Sequence, residues 1–191
     1  MKRLVLASGS PARKKILEQI GFPFVVDVSN YEEDMSLNME PEELAKHLSQ
    51  GKAKEVAPRH KNAVILAADS FAVFNGSLLG KPHTIENARK MLSMLSGQRH
   101  SFITGFTILD TDTDKKYTDA IETKVYFREL TPKDIDGYLQ KENVLNNAGA
   151  YIIQQLGSVL VEKVDGDYSN VMGLPLPAIT TALKDFGVNI L

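Results

Sequence analysis

The feature that most constrains the fold is the twelve-residue stretch AVILAADSFAVF, residues 63–74. Its first six residues are all apolar, which is typical of a central strand covered on both faces. Asn75 and Gly76 follow directly and predict a two-residue hairpin turn, with Ser77–Leu79 as the returning strand. The stretch therefore predicts a buried sheet inside an α/β structure.

Strand and helix patterns alternate along the rest of the chain. The predicted strands lie at Leu4–Ala7, Phe24–Val28, HSFITGFTILD, KKYTDAIETKVYFREL and QLGSVLVEKVDG, and the predicted helices at about residues 11–20, 41–56, 85–95, 131–140 and 177–186. The two long alternating stretches look like antiparallel partners. Because no repeat, low-complexity tract or linker interrupts this order, we expect residues 1–191 to form one α/β domain with a mixed sheet.

Composition excludes several classes of function. The 191 residues are 43% apolar, enough for a substantial core, and the formal net charge of −2 gives no global field for collecting nucleic acid or an anionic membrane. The absence of tryptophan also argues against a nucleic-acid binder. Without cysteine the chain has no disulfide, thiolate metal site or cysteine nucleophile. The opening apolar run RLVLA is too short for a signal peptide or a membrane span, so we expect a cytoplasmic protein.

The segment LASGSPARKK places cations at the start of a predicted helix, where the helix dipole disfavours them. Ser10 suits the N-cap position, and the hydroxyl groups of Ser8 and Ser10 and the free N–H groups of the helix start would point to one place. Arg13 and Lys14 stand beside it. These groups together predict a phosphate site, because oriented N–H donors and an arginine fork both bind phosphate. The alternative is that Lys14 and Lys15 extend into water, where screening weakens the dipole.

Two groups of carboxylates are candidates for metal binding. The loop Glu32-Glu33-Asp34 offers hard oxygen ligands for Mg²⁺, or is a solvated connection between a strand and a helix. Asp69 follows the apolar run AVILAA, at what we interpret as the end of a strand, where ligands bind in α/β sheets. A carboxylate so close to a core needs a metal, a lysine or backbone donors as a partner, unless Asp69 simply caps the following turn.

Three lysines are candidates for contacts with the same anion. Lys52 and Lys54 are two residues apart on a predicted helix, so at most one of them reaches a common site. Lys81 leaves the hairpin that begins just past Asp69, although Gly80-Lys81-Pro82 lacks the glycine spacing of a P-loop and also suits an ordinary turn.

Other chemistries find little support in the sequence. No paired zinc-ligand spacing connects the four histidines, His47, His60, His83 and His100. The motifs G-x-S-x-G, S-x-x-K and G-x-G-x-x-G are absent, which disfavours a serine hydrolase and a dinucleotide enzyme. Two late stretches, NNAGAYIIQ and VDGDYSNVMGLPL, have the glycines, aromatic rings and amides of a site that reads a planar ligand edge, or are tight structural turns.

Seven segments occur in the order found in the Maf family of nucleotide pyrophosphatases, which the chain resembles over nearly its whole length. They are LASGSPARKKIL, YEED, SQGKAKEV, AADS, LLGKP, NAGAYIIQ and GDYSNVMGLPL. The resemblance implies an elongated, curved mixed sheet with flanking helices and two lobes around a deep cleft, similar to the inosine-triphosphate pyrophosphatase (Maf/Ham1-like) architecture. It also implies a homodimer.

The implied activity is hydrolysis of a nucleoside triphosphate between the α and β phosphates with a divalent cation, Mg²⁺ first and Mn²⁺ as the alternative. A non-catalytic nucleotide-binding regulator of cell division is the alternative function. The resemblance assigns Glu33 and Asp69 to the metal, and Asp69 also to the attacking water. It assigns Ser8 and Arg13 to phosphate binding, Lys52 and Lys81 to the developing pyrophosphate, and Gln154 to the base. Lys14 is a further candidate for substrate binding because it stands beside Arg13.

The chain departs from the dTTP/UTP branch of the family at four positions. Ala12 and Asn147 stand where that branch has an arginine and a lysine, and Ile152 and Gln155 replace two glycines. The pattern AGAYIIQ still resembles the dTTP/UTP branch more than the 7-methyl-GTP branch, which lacks it.

Overall fold

The computed structural model describes residues 2–190 and contains seven strands and six α-helices within that range. The strands are β1 (Arg3–Leu6), β2 (Phe24–Val26), β3 (Ala63–Phe74), β4 (Ser77–Leu79), β5 (Arg99–Asp110), β6 (Lys116–Phe127) and β7 (Val161–Asp165). The helices are α1 (Pro11–Gln19), α2 (Pro41–Val56), α3 (Ile85–Leu95), α4 (Pro132–Leu139), α5 (Tyr168–Val171) and α6 (Leu176–Lys184). None of these helices is both long and apolar enough to cross a bilayer.

All seven strands join one mixed sheet with the order β2-β1-β3-β5-β6-β7, and β4 pairs with β3 outside this path. β1 lies parallel to both β2 and β3, with Leu4 opposite Phe24 and Val64, whereas β4 is antiparallel to β3 and β7 is antiparallel to β6. The predicted hairpin is confirmed, because Asn75 and Gly76 both have positive φ angles, 50° and 75°, as a primed turn requires. The mixed α/β class with flanking helices is therefore confirmed.

The described residues group into two compact units. The first contains residues up to Ser70, Ile103–Ile121 and the residues from Ser169 onward, and the second contains Phe71–Phe102 and Glu122–Tyr168. Strands β3, β5 and β6 each contribute residues to both units.

In the first unit, successive residues of the central strands enter two different apolar clusters, as the pleat of a strand requires. Leu4, Leu6, Val64 and Leu66 pack on one face with residues of α1 and α6. Val5, Ile65 and Ala67 pack on the other face with Ala53 and Val56 of α2. Burial on both faces explains why the first six residues of β3 are all apolar.

Helix α2 approaches β5 more closely than a side chain would allow. A Cβ atom added to Gly105 would lie 2.5 Å from the backbone nitrogen of Lys46, so only glycine permits this contact. The buried hydroxyl groups of Ser49 and Thr107 share a hydrogen bond of 2.8 Å nearby. These contacts fix the distance between α2 and the sheet in the first unit.

Two sequence interpretations need correction. The segment QLGSVLVEKVDG is a strand only from Val161 onward, because Gln155–Leu160 forms 3₁₀ turns in which Gln155 has a φ of 52°. Asp69 does not follow the end of its strand, since β3 continues to Phe74. The neighbouring strand β1 ends at Leu6, opposite Leu66, so Asp69 still lies beyond the carboxyl end of a parallel neighbour.

In the second unit, His100 is buried among aromatic rings. Its Nε2 atom shares a hydrogen bond of 2.8 Å with the Tyr151 hydroxyl, and the rings of Phe127 and Tyr151 lie edge-on at centroid distances of 5.1 and 5.5 Å. The Nδ1 atom has no hydrogen-bond partner among the described residues. Burial lowers the pKa of His100 to about 4.

This burial predicts a pH-dependent stability. Because the unfolded state takes up the His100 proton near pH 6.5 and the folded state only near pH 4, the contribution of His100 to the free energy of unfolding is fully present above pH 6.5 and falls by about 3 kcal/mol as the pH drops toward 4. Denaturant titrations from pH 7.5 to 4 test this expectation. We expect His100→Gln to lose this part of the pH dependence, and an unchanged slope in that variant would assign it to other groups.

Candidate active site

The alternation of side chains along β3 sends two adjacent polar residues to opposite faces of the sheet. Asp69 lies on the same face as Ile65 and Ala67, which is the face covered by α2. Ser70 lies on the opposite face, toward α1, and accepts a hydrogen bond of 2.9 Å from Arg13 Nη2. Two polar networks of the first unit therefore begin at neighbouring residues of one strand.

The network on the α2 face joins Lys52 to two carboxylates. The Lys52 ammonium donates a hydrogen bond to Asp69 Oδ1, and its Nζ atom lies 2.8 Å from Glu33 Oε1. The side chains of Lys52 and Asp69 are almost wholly buried, whereas Glu33 is exposed. Lys54 is exposed, so Lys52 is the one of the two helix lysines that joins this network.

Burial dominates the electrostatics of Asp69. The residue is only 7% exposed, and burial raises the pKa of its carboxyl group above the ordinary value, although the charges of Lys52 and Arg13 act in the opposite direction. A carboxylate with a raised pKa takes a proton more readily than an exposed aspartate, which is the property required of a general base.

The network on the α1 face is organised by Arg13. Its Nε atom donates to the Gly173 carbonyl at 2.9 Å, and its Nη1 atom donates to the Ala68 carbonyl at 2.8 Å and to Ser8 Oγ at 3.1 Å. With the bond to Ser70, four of the five guanidinium N–H groups have partners within the chain. Arg13 thus ties α1, β3 and the Gly173 turn together, and its fifth N–H group has no partner within residues 2–190.

The start of α1 has the predicted cap. Ser10 Oγ accepts a hydrogen bond from the Arg13 backbone N–H at 3.4 Å, and Ser8 Oγ accepts one from the Ser10 N–H at 3.3 Å. Ser8 is buried, whereas Ala12 and Lys14 are exposed, and Lys14 lies 3.6 Å from Glu18. Ser8 and Arg13 are therefore in direct contact, and Lys14 lies outside their hydrogen-bond network.

The remaining two predicted site residues, Lys81 and Gln154, belong to the second unit. Lys81 is exposed and forms no ion pair within residues 2–190. Its turn is held by a backbone hydrogen bond of 3.3 Å from Gly149 to Gly80. The structure thus brings LLGKP and NNAGAYIIQ together in this unit.

The segment that leads to Gln154 is held from both sides. The Ile152 N–H donates to the Tyr138 hydroxyl at 3.0 Å, and the Tyr151 hydroxyl bonds His100. Gln155 adopts a φ of 52°, a conformation that glycine adopts without steric cost. Because Gln155 stands where the dTTP/UTP branch has a glycine, the backbone is strained at the residue beside Gln154.

The described residues of the first unit do not form a complete set of metal ligands. No group of three or more aspartate, glutamate or histidine side chains within residues 2–190 is arranged to hold an ion. Glu33 and Asp69 nevertheless share one cation, Lys52, so their carboxylates lie close together. Two carboxylates fit Mg²⁺, which takes its remaining ligands from substrate phosphates and water.

Several residues of these networks were not predicted. Ser70, Thr104 and Gly173 extend the Arg13 network, since Ser70 and Thr104 share a hydrogen bond of 2.9 Å and Gly173 accepts from Arg13. Ser70 could have been found, because a second polar residue beside Asp69 interrupts an apolar strand. Thr104 has no such signal, since threonine is common in strands.

Comparisons with known proteins identify the family. The chain is 42% identical over 191 residues to a dTTP/UTP pyrophosphatase of Methanosarcina barkeri, covering 100% of this chain and 97% of that protein. It is 38% identical over 193 residues to a 7-methyl-GTP pyrophosphatase of Syntrophotalea carbinolica, covering 100% and 98%. A HAM1 protein from Coxiella burnetii shares the fold, with a TM-score of 0.54 at 18% identity over 97% of this chain and 100% of that one.

Residues 3–186 match the family described as Maf-like protein. With this match and the relatives above, the chain belongs to the Maf-like protein family, as its seven ordered segments predict.

Proposed function

We propose that the chain is a nucleoside triphosphate pyrophosphatase, which hydrolyses dTTP, UTP or a modified nucleotide between the α and β phosphates. The products are a nucleoside monophosphate and pyrophosphate, and the role is removal of unwanted nucleotides. The names of the two enzyme relatives, a dTTP/UTP pyrophosphatase and a 7-methyl-GTP pyrophosphatase, support this reaction. The observation that carries the proposal is the buried contact of Lys52 with Asp69, with Glu33 on the same ammonium.

A divalent cation, Mg²⁺ or Mn²⁺, completes the proposed site. Glu33 and Asp69 would hold it, because these two carboxylates share a single cationic partner in the structure. A bound ion of this kind offsets the negative charge of a triphosphate and polarises its oxygen atoms.

Asp69 is the proposed general base. Its Oδ1 atom accepts the Lys52 hydrogen bond, which leaves Oδ2 to orient a water molecule and accept its proton. Lys52 has a second role, because its ammonium group keeps the buried carboxylate ionised before the proton transfer. Both roles depend on the deep burial of Asp69 and on its contact with Lys52.

The start of α1 is the proposed phosphate-binding part of the first unit. The Ser8 hydroxyl, the Ala12 backbone N–H and the remaining N–H group of Arg13 are donors suited to phosphate oxygens, since the Arg13 and Lys14 backbone N–H groups already donate to Ser10. Lys14, with its exposed side chain, adds positive charge nearby rather than a fixed contact. Arg13 both binds phosphate through its remaining N–H group and positions Ser8 and Ser70 through its other donors.

For the second unit, we propose the roles that the resemblance implies. Lys81 supplies positive charge for the departing pyrophosphate, and Gln154 hydrogen-bonds the edge of the base, since an amide offers both a donor and an acceptor. We also propose a homodimer in the cytoplasm. The family resemblance supports the dimer, and a chain without cysteine is compatible with a reducing compartment.

A substrate panel tests the reaction. The purified chain is incubated with Mg²⁺ and dTTP, UTP, CTP, GTP, 7-methyl-GTP or ITP, and pyrophosphate and single phosphate are separated. We expect pyrophosphate and an equal amount of monophosphate, with dTTP and UTP turned over fastest. Release of single phosphate, or saturable binding without turnover, would contradict the proposed reaction.

Replacement of the proposed base gives a second prediction. Asp69→Asn should lower turnover of the best substrate by about 100-fold or more, because one positioned acid–base group contributes roughly 10²–10⁴. Asp114→Asn is a matched control, since this exposed turn residue has a φ of 55°, which asparagine also adopts. Near-normal turnover in a folded Asp69→Asn protein would remove Asp69 from the mechanism.

A further inference from the structure

Glu33 lies in a segment without regular secondary structure, yet it meets a buried lysine. The segment joins β2, which ends at Val26, to α2, which begins at Pro41. Glu33 itself is exposed, and its contact with Lys52 Nζ is 2.8 Å long. Something other than burial of Glu33 must therefore hold this part of the chain against α2.

Glu55 of α2 is the first anchor. Its Oε2 atom accepts hydrogen bonds from the Ser29 hydroxyl and from the Asn30 backbone N–H, each 3.0 Å long. The Ser29 hydroxyl oxygen in turn accepts the Tyr31 N–H at 3.1 Å. Arg59 holds the other oxygen of Glu55. One helix carboxylate thus orders three consecutive residues, and the chain reaches Glu33 two residues later.

The second anchor is the Tyr31 ring, which lies directly on Gly51. A Cβ atom added to Gly51 would be 2.6 Å from Tyr31 Cε1, a distance that real Cβ atoms essentially never show. Gly51 immediately precedes Lys52, so the ring rests against the turn of α2 that carries the buried ammonium group. A glycine inside a helix lowers the stability of the helix by up to about 1 kcal/mol relative to alanine. Gly51 is accounted for because a larger residue would collide with the Tyr31 ring.

We propose that Tyr31, Gly51 and Glu55 are positioning residues, which hold the acidic loop, Glu32-Glu33-Asp34, on α2 so that Glu33 reaches Lys52. The effect of this anchoring on turnover rests on the proposed function, whereas the anchoring itself does not. The three residues act through Glu33 and touch no reacting group. They belong to the segments YEED and SQGKAKEV, which explains physically why these two segments accompany one another in this chain.

Hydrogen exchange of the Asn30 and Tyr31 amides tests the anchor without any substrate. Gly51→Ala displaces the ring, so we expect both amides to exchange at least about tenfold faster than in the unsubstituted chain. Glu55→Gln, which keeps the shape of the side chain and weakens the acceptor, should have a similar effect. Gly137→Ala is the matched control, because that helical glycine has nothing within 4 Å of an added Cβ. Unchanged exchange in both α2 variants, Gly51→Ala and Glu55→Gln, would overturn the proposal.

Turnover measured on the same proteins tests the consequence. We expect Gly51→Ala to lower turnover by about tenfold or more, because small displacements of a catalytic group cost this much or more, and Gly137→Ala to leave it unchanged. In a Glu33→Gln background, Gly51→Ala should cause no further loss, since the effect passes through Glu33. A full additional loss in that background would overturn the proposal, as would faster exchange with normal turnover.

These two readouts separate failure of the anchor from failure of the proposed function. If the unsubstituted chain releases no pyrophosphate from any nucleotide, the reaction is wrong, and amide exchange alone then decides for or against the anchor.

Discussion

The contact between the Lys52 ammonium and the buried Asp69 carboxylate is the interaction on which the rest of the first unit depends. Each charge alone would be costly in this place, because a buried ion without a partner loses its hydration without compensation. Their pairing requires α2 to lie close to the sheet, and Gly105 permits that approach. The same ammonium then attracts Glu33, so one cation defines the position of two carboxylates.

Arg13 performs a related task on the other face of β3. Its guanidinium group joins the Ala68 carbonyl, Ser8 and Ser70, so the strand residues on either side of Asp69 are fixed from the α1 face. Four of the five N–H groups of this arginine are used within the chain, so most of its donors shape the site and one remains for a ligand. The positive φ of Gly173, 103°, and the 3.2 Å distance from an added Cβ to Arg13 Nε show that its partner turn needs glycine.

Local sequence patterns predicted most of the fold because they report burial directly. The apolar run of β3, the turn at Asn75 and Gly76 and the cap at Ser10 each depend on a few neighbouring residues, and the structure confirms all three. The strand predicted over QLGSVLVEKVDG was wrong in its first half, where the apolar residues Leu156 and Val159 are three apart, a spacing that suits 3₁₀ turns, and Gln155 adopts a left-handed conformation.

The site was less predictable, because its contacts join distant residues. Sequence spacing indicated that at most one of Lys52 and Lys54 faces a common site, but not which one, since that depends on the packing of α2. The anchors of the acidic loop had no local signal, because Tyr31 meets Gly51 and Asn30 meets Glu55 only after folding. The family resemblance supplied the roles that spacing alone left open.

The most direct test of the central contact is a double-mutant cycle on the free energy of unfolding with Lys52→Met and Asp69→Asn. Lys52→Met alone leaves a buried carboxylate without its partner and should cost about 3 kcal/mol or more. Because the double variant removes both charges, we predict that it loses at least about 2 kcal/mol less than the sum of the single variants. Losses that simply add would contradict the account, since they would mean that Lys52 and Asp69 do not depend on one another.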